Sequence, residues 1–87
     1  MFVLVEKKKI GEIEHFYNGI SVAVVNIGAS IKKGDTISIE GPSTNFQQKV
    51  ESMQIDKKNI SEAKKGQSIG LKVSEKVKPK DVVYKVA

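Results

Sequence analysis

Apolar residues recur at every second position through most of this chain, and glycine, asparagine, aspartate or proline breaks the alternation about every eight to twelve residues. Successive side chains of a strand point to opposite faces, so the pattern calls for strands with one apolar side rather than helices of period about 3.6. It predicts an all-β fold. A first strand is read over Lys9–Tyr17, where Ile13 sits between Glu12 and Glu14, and it ends at Asn18-Gly19. That dipeptide suits a two-residue hairpin turn because both positions tolerate positive φ. The return strand, Ile20–Ile27, carries Ile20, Val22 and Val24 on one face and Ala23, Val25 and Ile27 on the other. A strand apolar on both faces is expected to be covered twice, once by the core and once by another part of the chain or a partner.

Further along, Lys32-Lys33-Gly34-Asp35 reads as a turn that launches a strand over Thr36–Glu40, with Ile37 and Ile39 on one side, and Gly41-Pro42-Ser43-Thr44-Asn45 closes it. Over Phe46–Ile55, Val50 fits one phase and Met53 and Ile55 the other, which predicts a bulge near Ser52. Asp56-Lys57-Lys58-Asn59 turns the chain, and Ile60–Lys65 is expected to be irregular or a single turn ending at Gly66. Ile69, Leu71 and Val73 alternate on a fifth strand, and Val82–Val86 forms a sixth after a lysine-rich loop around Pro79. The 87 residues are expected to form one domain (1–87), with residues 1–8 either an extra strand or a flexible arm.

Composition narrows the chemistry. Cysteine is absent, which removes disulfides, thiolate nucleophiles and sulfur-ligated metals. No apolar run approaches the roughly 20 residues of a membrane-spanning helix, and Met1–Val5 is too short and wrongly flanked for an export signal, so a cytoplasmic location with no membrane is expected. All 15 basic residues are lysines, against 10 acidic ones. Bidentate reading of guanine edges needs arginine, so sequence-specific DNA recognition is not expected. An equally good reading of the lysines is a solvated, aggregation-resistant surface.

Catalysis finds little support. His15 is the only imidazole, between Glu14 and Phe16, and with no second histidine, cysteine or positioned serine it makes neither a metal site nor a triad. Glu12 and Glu14 imitate a carboxylate pair, but on the solvated side of a strand. The expectation is a chain that is not an enzyme and takes no cofactor and no metal.

Five pieces in order resemble the second domain of the translational GTPases such as elongation factor Tu: Val22–Val25, Lys32–Asp35, Ile37–Gly41, Val50–Ile55 and Glu62–Leu71. The resemblance covers most of the chain and implies a closed six-stranded β-barrel of the translation-protein type, as in free-standing elongation-factor-like proteins. Three residues depart from that pattern: Gln54 where Tu-type factors usually place a glutamate at the pocket for the terminal adenosine of aminoacyl-tRNA, Gln67 in place of an aspartate, and Lys80 in place of a glycine. The last turn is therefore expected to be built differently. The phosphate-cradling Gly-x-x-x-x-Gly-Lys-Ser/Thr loop is missing, which excludes nucleotide hydrolysis by this chain alone.

The resemblance implies a non-catalytic, translation-related module that contacts ribosomal or transfer RNA. Its candidate contacts are the lysine doublets of the turns: Lys32, Lys33, Lys57, Lys58, Lys64 and Lys65. With only three phenylalanines and two tyrosines, mostly assigned to the core, base stacking is not expected. The alternative is a protein-interaction module that docks on a larger enzyme or factor through the doubly apolar Ile20–Ile27 strand.

Overall fold

The computed structural model describes residues 7–86. Ten strands are present among them: β1 (Lys7–Tyr17), β2 (Val22–Ile27), β3 (Ile31–Lys32), β4 (Thr36–Gly41), β5 (Thr44–Lys49), β6 (Met53–Ile55), β7 (Lys58–Ile60), β8 (Glu62–Ala63), β9 (Ser68–Lys72) and β10 (Val82–Val86). The all-β expectation holds. Eight strands form one antiparallel sheet in the order β5-β4-β10-β1-β2-β9-β6-β7, and β3 pairs with β8 in a second ladder.

The expected closed six-stranded barrel is not what forms. The sheet is open: β5 and β7 are its two ends, and no ladder joins them. The reason lies at Val50–Ser52, where the expected single strand over Phe46–Ile55 breaks in two instead of bulging. Val50 is buried and exchanges backbone hydrogen bonds with Gly34 and Asp35, after which the chain restarts as β6 on the far side of β9. Four strands lie between β5 and β9 in ladder order, yet Gln48 on β5 donates to Lys72 O (2.9 Å) and accepts from Ser74 N (2.8 Å). The sheet is thus rolled, and one side chain spans a seam that a ladder would have closed.

β1 shows how the roll begins. Ile10 and Ile13 would face opposite sides of a regular strand, yet both are buried. Register shifts against β10 between Lys9 and Gly11, and against β2 between Ile13 and His15, turn both inward. The core gathers Ile10, Ile13, Val25, Ile27, Ile37, Ile39, Leu71 and Val83 among others, all essentially inaccessible.

Three turns use one device. In Lys32–Asp35, Lys64–Gln67 and Lys78–Asp81 the fourth residue's N–H donates to the first residue's C=O at 3.1–3.2 Å, and the third residue has positive φ (Gly34 95°, Gly66 92°, Lys80 76°). These are type II turns. In each, the fourth side chain accepts from the first residue's N–H at 2.8 Å: Asp35 from Lys32, Gln67 from Lys64 and Asp81 from Lys78. Gln67 therefore does the work of an aspartate, and Lys80 takes the conformation a glycine would, so the last turn is not built differently.

The expected two-residue turn at Asn18-Gly19 is a four-residue connection, residues 18–21, with Ser21 at φ 54°. Consequently β2 starts at Val22, and Ile20 lies in the loop. The two-residue loop with positive φ at both positions occurs instead at Asp56-Lys57 (51° and 65°), joining β6 and β7. Ile60–Lys65, expected to be irregular, holds the end of β7 and all of β8. Of the 1–8 segment, Lys7 and Lys8 belong to β1, and residues 1–6 lie outside the described residues.

Candidate functional site

Burying an apolar side chain is favourable by about 1.5–3 kcal/mol, so large apolar groups left in water at one spot single it out. Among the described residues two large hydrophobic side chains are exposed, Tyr17 at 50% and Ile20 at 66%, and both belong to the β1–β2 hairpin. The sequence places Ile20 on the doubly apolar strand offered as a docking face, whereas Tyr17 falls among aromatics mostly assigned to the core and its exposure is not anticipated. Their signal was nonetheless present, as two apolar residues flanking a turn dipeptide.

The outer face of β2 continues the patch. Tyr17 pairs with Val22 and His15 with Val24, while on the other flank Val24 faces Gly70 and Val22 faces Lys72. Val22 and Val24 are half-buried, whereas Ala23, Val25 and Ile27 on the inner face are fully buried. Gly70 offers no side chain to cover β2, and Val22 Cγ1 lies 3.3 Å from where a Cβ on Gly70 would sit. His15 and Tyr17 stack edge to face, ring centroids 4.5 Å apart, which fixes the tyrosine at the hairpin's margin. Exposed Glu14 and Lys72 lie at its sides.

The six candidate lysines are all exposed. Lys32 and Lys33 lie at the end of β3, where Lys32 reaches Glu62 at 4.0 Å. Lys57 and Lys58 lie at the β6–β7 tip, and Lys64 and Lys65 in the turn before β9. Lys65 lines a cleft with Lys9. Glu12, one half of the candidate carboxylate pair, is held by Lys9 at 3.6 Å, and among the described residues no group of three His, Cys, Asp or Glu side chains converges.

The fold and this surface define an all-β domain with an apolar hairpin face. The chain belongs to the peptidase family U32 C-terminal domain, whose family model matches residues 6–83. It is 40% identical over 79 residues to an uncharacterised protease of Methanocaldococcus jannaschii, covering 90% of this chain and 19% of that protein. It is 34% identical over 82 residues to a collagenase of Porphyromonas gingivalis, covering 92% of this chain and 23% of that one. The chain thus spans about a fifth of the length of these relatives. The crystal structure of the C-terminal domain of a U32 peptidase described as putative, from Geobacillus thermoleovorans, superimposes with a TM-score of 0.84 at 21% identity, over 90% of this chain and 91% of that one.

These matches overturn the resemblance to the second domain of elongation factors, and with it the reading as a translation-related, ribosome-associated, RNA-binding module. The physical reason is visible in the turns. The matched pieces, such as Lys32–Asp35 and Glu62–Leu71, include a type II turn followed by a strand, and this chain builds that same unit three times, each closed by the fourth residue's side chain on the first residue's N–H. The motif reports how a strand is launched.

Proposed function

We propose that this chain is a non-catalytic docking domain that seats on the peptidase portion of a U32 family protein through the outer face of β2 and the tip of the β1–β2 hairpin. One observation carries the reading: Tyr17 and Ile20 stand 50% and 66% exposed beside half-buried Val22 and Val24, on a hairpin whose opposite face is core. Aromatic and branched apolar anchors of this kind supply most of the binding energy at protein interfaces. The occupant is the rest of such a polypeptide, because the protein relatives extend roughly four-fifths of their length beyond the region matched here. Hydrolytic activity, including that named for the collagenases, resides in this reading in that larger portion, and the complex is cytoplasmic.

The test is co-expression with the remaining part of the Methanocaldococcus jannaschii relative, from which the matching C-terminal region has been deleted. The two are expected to co-purify in high salt, where lysine-mediated attraction is screened. Tyr17→Ser with Ile20→Ser should weaken the complex by about 10- to 100-fold, as loss of two interface anchors would. Equal retention of the double variant would refute the reading.

A further inference from the structure

The chain has four asparagines, at positions 18, 26, 45 and 59, and the fold treats one of them differently. Asn26 pairs with Glu12 and Ser68 and precedes Ile27, whose N–H donates to Gln67 O at 2.8 Å. Asn45 pairs with Glu40 and precedes Phe46, itself paired with Ile39. Asn59 pairs with Gln54, accepts from its side-chain amide at 3.0 Å, and precedes Ile60. Asn18 alone lies outside a strand and alone precedes a glycine, and both it and Gly19 are exposed. Ile20 N donates to Tyr17 O at 3.3 Å, which closes the turn across Asn18 and Gly19, and the Gly19 N–H has no backbone acceptor among the described residues. No side-chain hydrogen bond among the described residues holds the Asn18 amide.

Those are the conditions for an asparagine to cyclise: a following backbone nitrogen that is unbonded, unshielded by a side chain and free to approach the side-chain carbonyl carbon. We infer that Asn18 is a self-modifying site, which in the undocked chain converts to aspartate and isoaspartate and so places a carboxylate between the two anchors of the hairpin tip. Gly19 N gives up its proton and bonds to Asn18 Cγ, the Cγ–Nδ2 bond breaks, and the nitrogen leaves with that proton as ammonia. Solvent water then opens the five-membered imide at either carbonyl, one product keeping the normal backbone and the other running it through the side chain. No electrons are exchanged. The new carboxylate stands between Tyr17 and Ile20, 50% and 66% exposed, where an apolar partner surface would strip its water. The chemistry is independent of the docking reading; its consequence, loss of docking by chains left unpartnered, rests on it.

Incubation of the folded chain in warm, mildly alkaline buffer tests the chemistry, followed by cation exchange, where each conversion lowers the formal net charge of +5 by one, and by fragmentation mass spectrometry. The amide-to-carboxyl mass change is expected at Asn18 well before Asn26, Asn45 or Asn59, with isoaspartate shown by isoaspartyl methyltransferase labelling. Gly19→Val shields the attacking nitrogen and should slow the change at least about tenfold. A Cβ at Gly19 meets nothing within 4 Å and its φ is not positive, so the variant should fold, which circular dichroism checks. A short peptide spanning residues 15–22 should react within about tenfold of the folded chain, because the fold leaves this turn unrestrained. Change spread evenly over the four asparagines, no isoaspartate, an undiminished rate in Gly19→Val, or a folded chain far slower than the peptide would each overturn the inference. The consequence is read with Asn18→Asp, expected to bind the peptidase portion about tenfold more weakly than the parent. Full binding by Asn18→Asp, with binding lost in Tyr17→Ser plus Ile20→Ser, would overturn that consequence and leave the docking reading intact.

Discussion

At Gly41 the packing leaves no room for a single added carbon. A Cβ there would collide with Oδ1 of Asp81 and lie 2.7 Å from its Cγ. Asp81 is 2% exposed, and its other oxygen accepts from Lys78 N, so it cannot swing aside. Gly41→Ala is expected to cost about 2 kcal/mol, and thermal denaturation should show a midpoint lowered by roughly 10 °C. Lys57 offers the reverse case. It holds φ 65° in a turn that glycine fits better, so Lys57→Gly should raise the urea midpoint, with a gain of about 0.5–1 kcal/mol. Glu40 makes stability depend on pH. The Lys7 ammonium at 2.7 Å, and then the Ser38 hydroxyl at 2.8 Å, hold its carboxyl below the usual value of 4.5. A lowered folded value means the unfolded chain binds the proton more readily, so the contribution is complete above 4.5 and disappears as pH falls through the depressed value. Denaturation midpoints measured across that interval should fall less steeply in Glu40→Gln than in the parent.

Among the elements, the seam beside β5 depends most on one side chain. Gln48 bonds Lys72 O and the backbone N–H of Ser74, with the Ser74 hydroxyl at 3.2 Å. Gln48→Ala should lower stability by about 1 kcal/mol and speed hydrogen exchange in β5 ahead of the central β1 and β2, a local loosening readable by amide exchange. Elements were legible wherever apolar residues alternate: β4, β9 and β10 carry Ile37/Ile39, Ile69/Leu71 and Val83 in the core, although Ser38 on the other face of β4 is buried as well. What the pattern concealed were changes of partner. A break at Val50–Ser52 and a bulge both reverse the phase of alternation, and only the long-range bonds of Val50 to Gly34 and Asp35 distinguish them. Asn18-Gly19 has the chemistry for a two-residue turn, yet the ladder partner of Val22 is Tyr17, which leaves four residues to connect them. The hairpin face was half legible: Val22 and Val24 marked β2 as apolar on both sides, but the exposure of Tyr17 follows from the bulge at Ile13–His15, and no short-range pattern announces it.

For the molecule as a whole, the family follows from the match over residues 6–83, and the chain corresponds to about a fifth of its relatives' length. A rolled but open sheet with one wet apolar hairpin fits a module completed by a neighbour, since sheet faces apolar on both sides gain stability only when both are covered. Three of the lysine-bearing turns have a structural part to play: their backbone geometry launches β4, β9 and β10. The most direct measurement of the docking claim is hydrogen exchange read by mass spectrometry, on this chain alone and bound to the peptidase portion of its Methanocaldococcus jannaschii relative. The account expects new protection concentrated in peptides covering residues 15–24, with the β4–β5 hairpin unchanged. Protection at the β4–β5 hairpin or the lysine turns, with residues 15–24 exchanging as fast as in the free chain, would contradict it.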